Sequence, residues 1–309
     1  MRRKQVIWVV AVVVVLVAAA VVAVLALRGG PAAAPPEQAG STGPVLVVKI
    51  DNVDEARPAT GLGSADVLYV EPVEGGLTRA AAVFTANRPD VVGPVRSARE
   101  TDFDLLAQYR HPVFAYSGAA PEVVQALHTP PLSARVVNAS PDDVPAAYFR
   151  QPGKAAPHNL YAHAAALPTS DGALPDAVLP RGAAPAGGTP ATDQTAAVGA
   201  ASFAFHWADG RWRISMDGTP FTSTESGQLT ASTVILQRVT TTTSALGGNG
   251  ASPLVHTTGT GEATMLRDGQ SFHGTWSRPS ADAGTTFTTD SGAPLPASPG
   301  QVWVLLIPA

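Results

Sequence analysis

Residues 66–85 read DVLYVEPVEGGLTRAAAVFT. Two apolar runs, Asp66 to Val70 and Arg79 to Thr85, flank Pro72-Val73-Glu74-Gly75-Gly76, the punctuation of a β-hairpin. If the turn centres on Gly75, Glu71 lies roughly across from Arg79, where a cross-strand ion pair would form. Upstream, Val45 to Ile50 is a largely β-branched run ending at Asp51-Asn52, the pattern of a buried strand. Downstream, residues 98–109 place Phe103, Leu106 and Ala107 on one helical face. His111 to Tyr116 reads as a strand with Pro112 near its start, where a missing N–H is tolerated. Pro121 opens a short helix through Leu127, and Asn159 to Leu167 reads as an Ala-rich helix. Residues 44–167 are therefore expected to be a mixed α/β N-terminal domain.

Residues 168–199 are rich in Pro, Gly, Ala and Thr without periodicity and read as a linker or long surface excursion. From residue 200 to 309 the pattern is strand-rich. Phe203 to Trp207 and Trp212 to Met216 flank Asp209-Gly210, and Glu262 to Leu266 and Ser271 to Trp276 flank Asp268-Gly269, both tight-turn dipeptides. Val234 to Val239 and Val302 to Ile307 complete a smaller β-rich C-terminal domain. The expected class is α+β.

The opposite end carries an address. Met1 to Lys4 include Arg2, Arg3 and Lys4, and Val6 to Leu27 then run 22 residues without a charge. At about 1.5 Å per residue such a helix spans roughly 33 Å, enough for a bilayer core of about 30 Å. It is longer than the apolar region of a cleavable signal. Residues 1–30 are thus expected to be a cytoplasmic tip and single-pass anchor, with the N-terminus in the cytoplasm. Residues 31–43 would form a tether, with the remainder extracytoplasmic and the bilayer as one partner.

Composition removes several functions. The absence of cysteine excludes a disulfide scaffold, thiolate metal sites and a cysteine nucleophile. Residues 1–30 hold four of the 20 basic residues and none of the 24 acidic ones, so the remainder carries a net −8. That balance argues against a general nucleic-acid binder. There is no Gly-rich phosphate loop, no His-Glu-x-x-His and no Gly-x-Ser-x-Gly. His158 and His163 would diverge by about 140° on a helix and make a poor metal pair. Gly259-Thr260-Gly261 reads as a turn. No cofactor or metal is expected.

Three short stretches concentrate unusual polar residues. In Gly93-Pro94-Val95-Arg96-Ser97-Ala98-Arg99-Glu100, Ser97 and Glu100 have the spacing of a capping box, so a helix should begin at Ala98. Arg96 and Arg99 beside that helix start would suit an anion, unless each is taken up by an internal carboxylate or by solvent. The hairpin supplies Glu71, Glu74 and Arg79; residues three apart on a strand face opposite ways, so the two glutamates are not a simple acid–base pair. In Ala156-Pro157-His158-Asn159-Leu160-Tyr161, Asn159 can cap the following helix, and His158 could transfer a proton or donate to an anion.

With Lys49-Ile50-Asp51-Asn52, Arg57-Pro58, Ser64-Ala65-Asp66, Thr78-Arg79, Arg267-Asp268-Gly269, Gly274-Thr275-Trp276-Ser277 and Pro299-Gly300-Gln301-Val302-Trp303, these stretches resemble the YerB-like family of bacterial lipoproteins, a domain of unknown function. The resemblance covers nearly all of residues 44–309 and implies an envelope location and two parts, α/β then β-rich. One departure is that no cysteine is present for lipid attachment, so the anchor helix would replace the lipid. Three readings follow. In the first, Arg79, Arg96, Ser97, Arg99, His158 and Asn159 hold an anionic or glycan group, such as a cell-wall polymer. In the second, Asp51, Glu71 or Glu74 works with His158 in a hydrolase or transferase. A scaffold contacting other envelope proteins is a third.

Overall fold

The computed structural model describes residues 42–85, 87–247 and 252–309. The apolar run Val6 to Leu27 lies outside them; among the described residues no helix is long and apolar enough to cross a membrane.

Strands dominate. In chain order the principal ones are β1 (Leu46–Asp51), β2 (Val67–Pro72), β3 (Thr78–Phe84), β4 (Val113–Ala115), β5 (Val137–Asn138), β6 (Thr189–Pro190), β7 (Asp193–Val198), β8 (Ala201–Ala208), β9 (Arg211–Met216), β10 (Thr233–Val239), β11 (Gly259–Arg267), β12 (Gln270–Arg278), β13 (Thr286–Thr289) and β14 (Val302–Pro308). Ten of them run side by side as β6–β12–β11–β10–β14–β2–β3–β1–β4–β5, and β13 is attached to β12. The hairpin read from residues 66–85 is present as β2–β3, with Glu71 in register with Arg79. Both Asp-Gly hairpins form as well. Asp209 and Gly210, and Asp268 and Gly269, all take positive φ, the conformation a two-residue turn between twisted strands requires.

The C-terminal strand β14 is parallel to β10 on one side and to β2 on the other. Strands from early and late sequence therefore share one sheet. Residues 168–199 are not bare connection: they carry a short strand at Asp171–Ala173, a helical turn at Pro175–Val178, and strands β6 and β7.

The central strands are covered on both faces, which explains their near-continuous apolar runs. Val48, Ile50, Leu68, Val70, Trp303 and Leu305 pack with Phe203, Phe205, Trp212 and Ile214 of the antiparallel β7–β8–β9 sheet. The alternate residues Val45, Val47, Val67, Tyr69, Val302 and Val304 pack against Leu105, Leu106, Val123 and Leu127. Those last four come from the helices α1 (Thr101–Ala107) and α2 (Pro121–Leu127).

The expected α+β class is thus corrected to a mostly β fold. Among the described residues the α-helices are α1 and α2, of seven residues each, and the four-residue turn at Pro175–Val178. Asn159 to Leu167 is not a helix. Leu160–His163 is a strand held between Val91–Val92 and Tyr148–Arg150, followed by a single 3-10 turn. Pairing on both edges holds Leu160–His163 extended, against the helical preference of Ala162 and the alanines that follow it. Helix α1 starts at Thr101 rather than Ala98, because the Ser97 hydroxyl donates to the Ser117 carbonyl and Glu100 reaches Ser244 instead of capping. Gly259-Thr260-Gly261 begins β11 rather than forming a turn.

Candidate functional site

Side chains alternate across a strand, so Val45, Val47, Lys49 and Asp51 lie on one face of β1 and its flank. That face is apolar under the helices and becomes ionic at the carboxyl end of the strand. The same change occurs in β2, from Val67 and Tyr69 to Glu71. Strand β3 between them carries Arg79 as its second residue, in register with Asp51 on one side and Glu71 on the other. Three charged residues thus form a row across three adjacent strands. All are at least 96% buried, as is Lys49.

The row resolves into two linked clusters. In the inner one, the Lys49 ammonium contacts Glu71 and also donates to Asp102 of α1 at 2.7 Å. Burial pulls Lys49 down to about 8, against the opposing pull of Asp102. Asp102 also accepts the Arg99 backbone N–H at 2.7 Å. The expected Glu71–Arg79 pair is therefore a register neighbour but not an ion pair; each residue has another partner.

The outer cluster is organised by Asp51. Its Oδ1 lies 3.3 Å from Arg79, and its Oδ2 accepts from Arg96 Nε at 2.9 Å and from His158 Nδ1 at 2.7 Å. Backbone pairing delivers those partners. The Arg96 N–H donates to the Lys49 carbonyl and the Val95 N–H to the Leu160 carbonyl, so residues 93–97 are laid between the end of β1 and the strand preceded by His158. Burial lowers the Arg79 guanidinium, and Asp51 opposes it. Arg96 and His158 keep 22% and 21% of their side chains exposed, while Asp51 is fully enclosed.

Glu74 comes from the loop after β2, where Gly75 and Gly76 both take positive φ. It accepts from Arg99 Nε and Nη2 at 3.1 and 2.8 Å. Burial raises its carboxyl, but hydrogen bonds from Arg99 and Ser252 outweigh that and bring it to about 2. Ser97 accepts from Arg96 at 3.3 Å. Asn159 stands apart: it accepts from Arg150 at 2.6 Å and donates to the Lys154 carbonyl, and it caps no helix.

Two hollows flank this ionic centre. One, of about 210 Å3, is lined by Glu74, Ser97, Arg99 and Glu100. The other, of about 520 Å3, is lined by Asn52, Arg57, Leu77, Thr78, His158 and Met216. Of the residues singled out in the sequence, Asp51, Arg79, Arg96 and His158 converge, and Glu74 and Arg99 pair beside them. Glu71 is sealed beneath. Sequence reasoning passed over Lys49 and Asp102, although a lysine inside the run Val45 to Ile50 was a signal that a carboxylate must face it. Among the described residues no cluster of His, Asp or Glu has the arrangement to hold a metal ion.

A mostly β protein with a buried ionic row at the ends of its central strands is the class that fold and site define. Within it, the chain belongs to a family of proteins of unknown function: the DUF3048 N-terminal domain matches residues 30–173 and the DUF3048 C-terminal domain residues 192–304. It is 42% identical over 78 residues to “Putative lipoprotein YerB” of Bacillus subtilis (strain 168), a stretch covering 25% of this chain and 23% of that protein. The crystal structure of YerB protein from Bacillus subtilis superposes with a TM-score of 0.71 at 20% identity, over 89% of this chain and 94% of that one, which establishes the likeness of fold.

Proposed function

We propose that this protein is a membrane-tethered, extracytoplasmic component of the cell envelope that binds an anionic or glycan ligand at the Arg96–Arg99 edge of the ionic row. The location draws support from the lipoprotein name of its relative and from the run Val6 to Leu27 in the sequence. The binding reading rests on one observation above all. Asp51, itself enclosed, fixes Arg79, Arg96 and His158 at once, and Arg96 stays partly exposed. A guanidinium carries five N–H donors. Arg96 uses Nε and Nη1 on Asp51 and Ser97, which leaves donors for a carboxylate or phosphate. Arg99 adds a second, partly exposed guanidinium next to the smaller hollow.

The test is thermal unfolding of the full chain with inorganic phosphate, sulfate, dicarboxylates and soluble peptidoglycan or teichoic fragments. A ligand at about 100 times its Kd adds roughly 2.7 kcal/mol. A shift present in the wild type and lost in Arg96→Gln and Arg99→Gln supports the reading; no shift with any anion overturns it.

A second reading is favoured by the 2.7 Å contact between Asp51 Oδ2 and His158 Nδ1. A carboxylate on Nδ1 fixes the tautomer and leaves Nε2 to act as a base, the geometry of many hydrolases. Turnover of an envelope polymer that His158→Gln abolishes, with binding retained, would replace the first reading by this one.

A further inference from the structure

The larger hollow has a chemistry of its own. Asn52 lines it, is 1% exposed, and donates from Nδ2 to Thr78 Oγ1 at 2.8 Å. Its Oδ1 is buried without any hydrogen-bond partner. A buried acceptor left unpaired is destabilising, and a ligand N–H or O–H would satisfy it. His158 presents a second acceptor. Its Nδ1–H is committed to Asp51, so the neutral ring offers the Nε2 lone pair. The rim is acidic: Asp54, Glu55 and Asp217 are three carboxylates against one guanidinium, Arg57, which pairs with Asp54 and Asp217 and donates to the Met216 carbonyl, so the rim keeps a net negative charge. One wall is apolar. Leu77 is 46% exposed, the one large apolar side chain so exposed among the described residues, and Met216, Ala200 and Ala201 lie with it.

Acceptors on the floor, carboxylates on the rim and an apolar wall select a ligand that is donor-rich, cationic and amphipathic. We propose that this hollow is a subsite for an amino sugar, its hydroxyls on Asn52 Oδ1 and His158 Nε2, its ammonium toward Asp54, Glu55 and Asp217, and its C–H face on Leu77. The inference deepens the proposed ligand-binding reading: the envelope ligand would carry an amino sugar next to its anionic group.

The experiment uses the full chain and three β-1,4 tetrasaccharides: glucosamine tetramer, its fully N-acetylated form and cellotetraose, each titrated calorimetrically at pH 7. The glucosamine tetramer is expected to bind most tightly. The exposed-rim variant Asp54→Asn/Glu55→Gln should weaken it by about threefold, the size of two surface charge interactions, while leaving cellotetraose unchanged. Asn52→Ala should weaken both sugars by up to about tenfold, the loss of one buried hydrogen bond. Equal affinity for glucosamine tetramer and cellotetraose overturns the amine preference, and no binding of any of the three overturns the subsite. Phosphate titrated in parallel against wild type and Arg96→Gln separates the two readings. Phosphate bound through Arg96 with no sugar bound defeats the subsite alone, and neither ligand bound defeats both.

Discussion

At the scale of the residue, the inner cluster bears on stability and the outer one on the proposed binding. Lys49 bridges Glu71 and Asp102, all three side chains being buried. Removing it leaves two carboxylates facing each other in a buried site, and breaking such a pair costs about 3–5 kcal/mol. Lys49→Met should therefore lose that much stability in urea unfolding at neutral pH. The triple variant Lys49→Met/Glu71→Gln/Asp102→Asn should recover part of it, because no charge is then left alone. Glu74 predicts a dependence on acid. Its folded carboxyl sits near 2 against an ordinary value of 4.5, so its contribution is present above about pH 4.5 and is lost as pH falls toward 2. With the Glu74 side chain 36% exposed the effect is modest. The wild-type stability curve should fall more steeply across that window than that of Glu74→Gln; parallel curves would remove Glu74 from the account. Part of the site was legible in the residues, since the hairpin already placed Glu71 opposite Arg79. Their true partners were not. Whether Arg79 turns to Glu71 or to Asp51 depends on which strand lies on its other side, and nothing near residue 79 names β1.

At the scale of the element, two-residue turns and alternating strands were readable because their signals are local. Asp209-Gly210 and Asp268-Gly269 each announce a turn by the backbone they alone tolerate well. The strand at Leu160–His163 was not readable, because alanines favour a helix in isolation and only its two neighbours hold it extended. The capping-box spacing at Ser97 and Glu100 misled for a related reason: both side chains found distant partners, Ser117 and Ser244. One junction between elements makes a sharp prediction. Gly199, in the turn between β7 and β8, has φ +59°, and a Cβ there would collide with the Gly76 carbonyl oxygen. That carbonyl accepts the Ala200 N–H at 2.7 Å, tying the Glu74-bearing loop to the second sheet. Gly199→Ala should cost about 1–3 kcal/mol, and hydrogen exchange at Ala200 should quicken. Unchanged exchange would mean that the loop is held by other contacts.

At the scale of the whole molecule, the ladder from β10 through β14 to β2 joins early and late sequence in one continuous sheet. Trp303 on β14 is fully buried and meets Phe221 edge-on at 5.4 Å. Trp303→Ala should cost about 3–5 kcal/mol and should speed exchange equally in β2 and in β10. Exchange that changed in β10 alone would show two independent cores. This connection is the part of the fold least visible in sequence. Val302 pairs with Val67 across 235 positions, and an apolar run does not say which other run it will lie beside. The same placement sets a timetable. Of the strands described, β14 is made last and yet belongs in the middle, so on the ribosome β2 and β10 wait with one edge each unfilled. The sheet can close only after β14 has emerged, and distant pairing of this kind is slow. A chain that cannot finish folding early stays threadable for longer, and a factor that shields the waiting edges would shorten the interval in which it is open to aggregation.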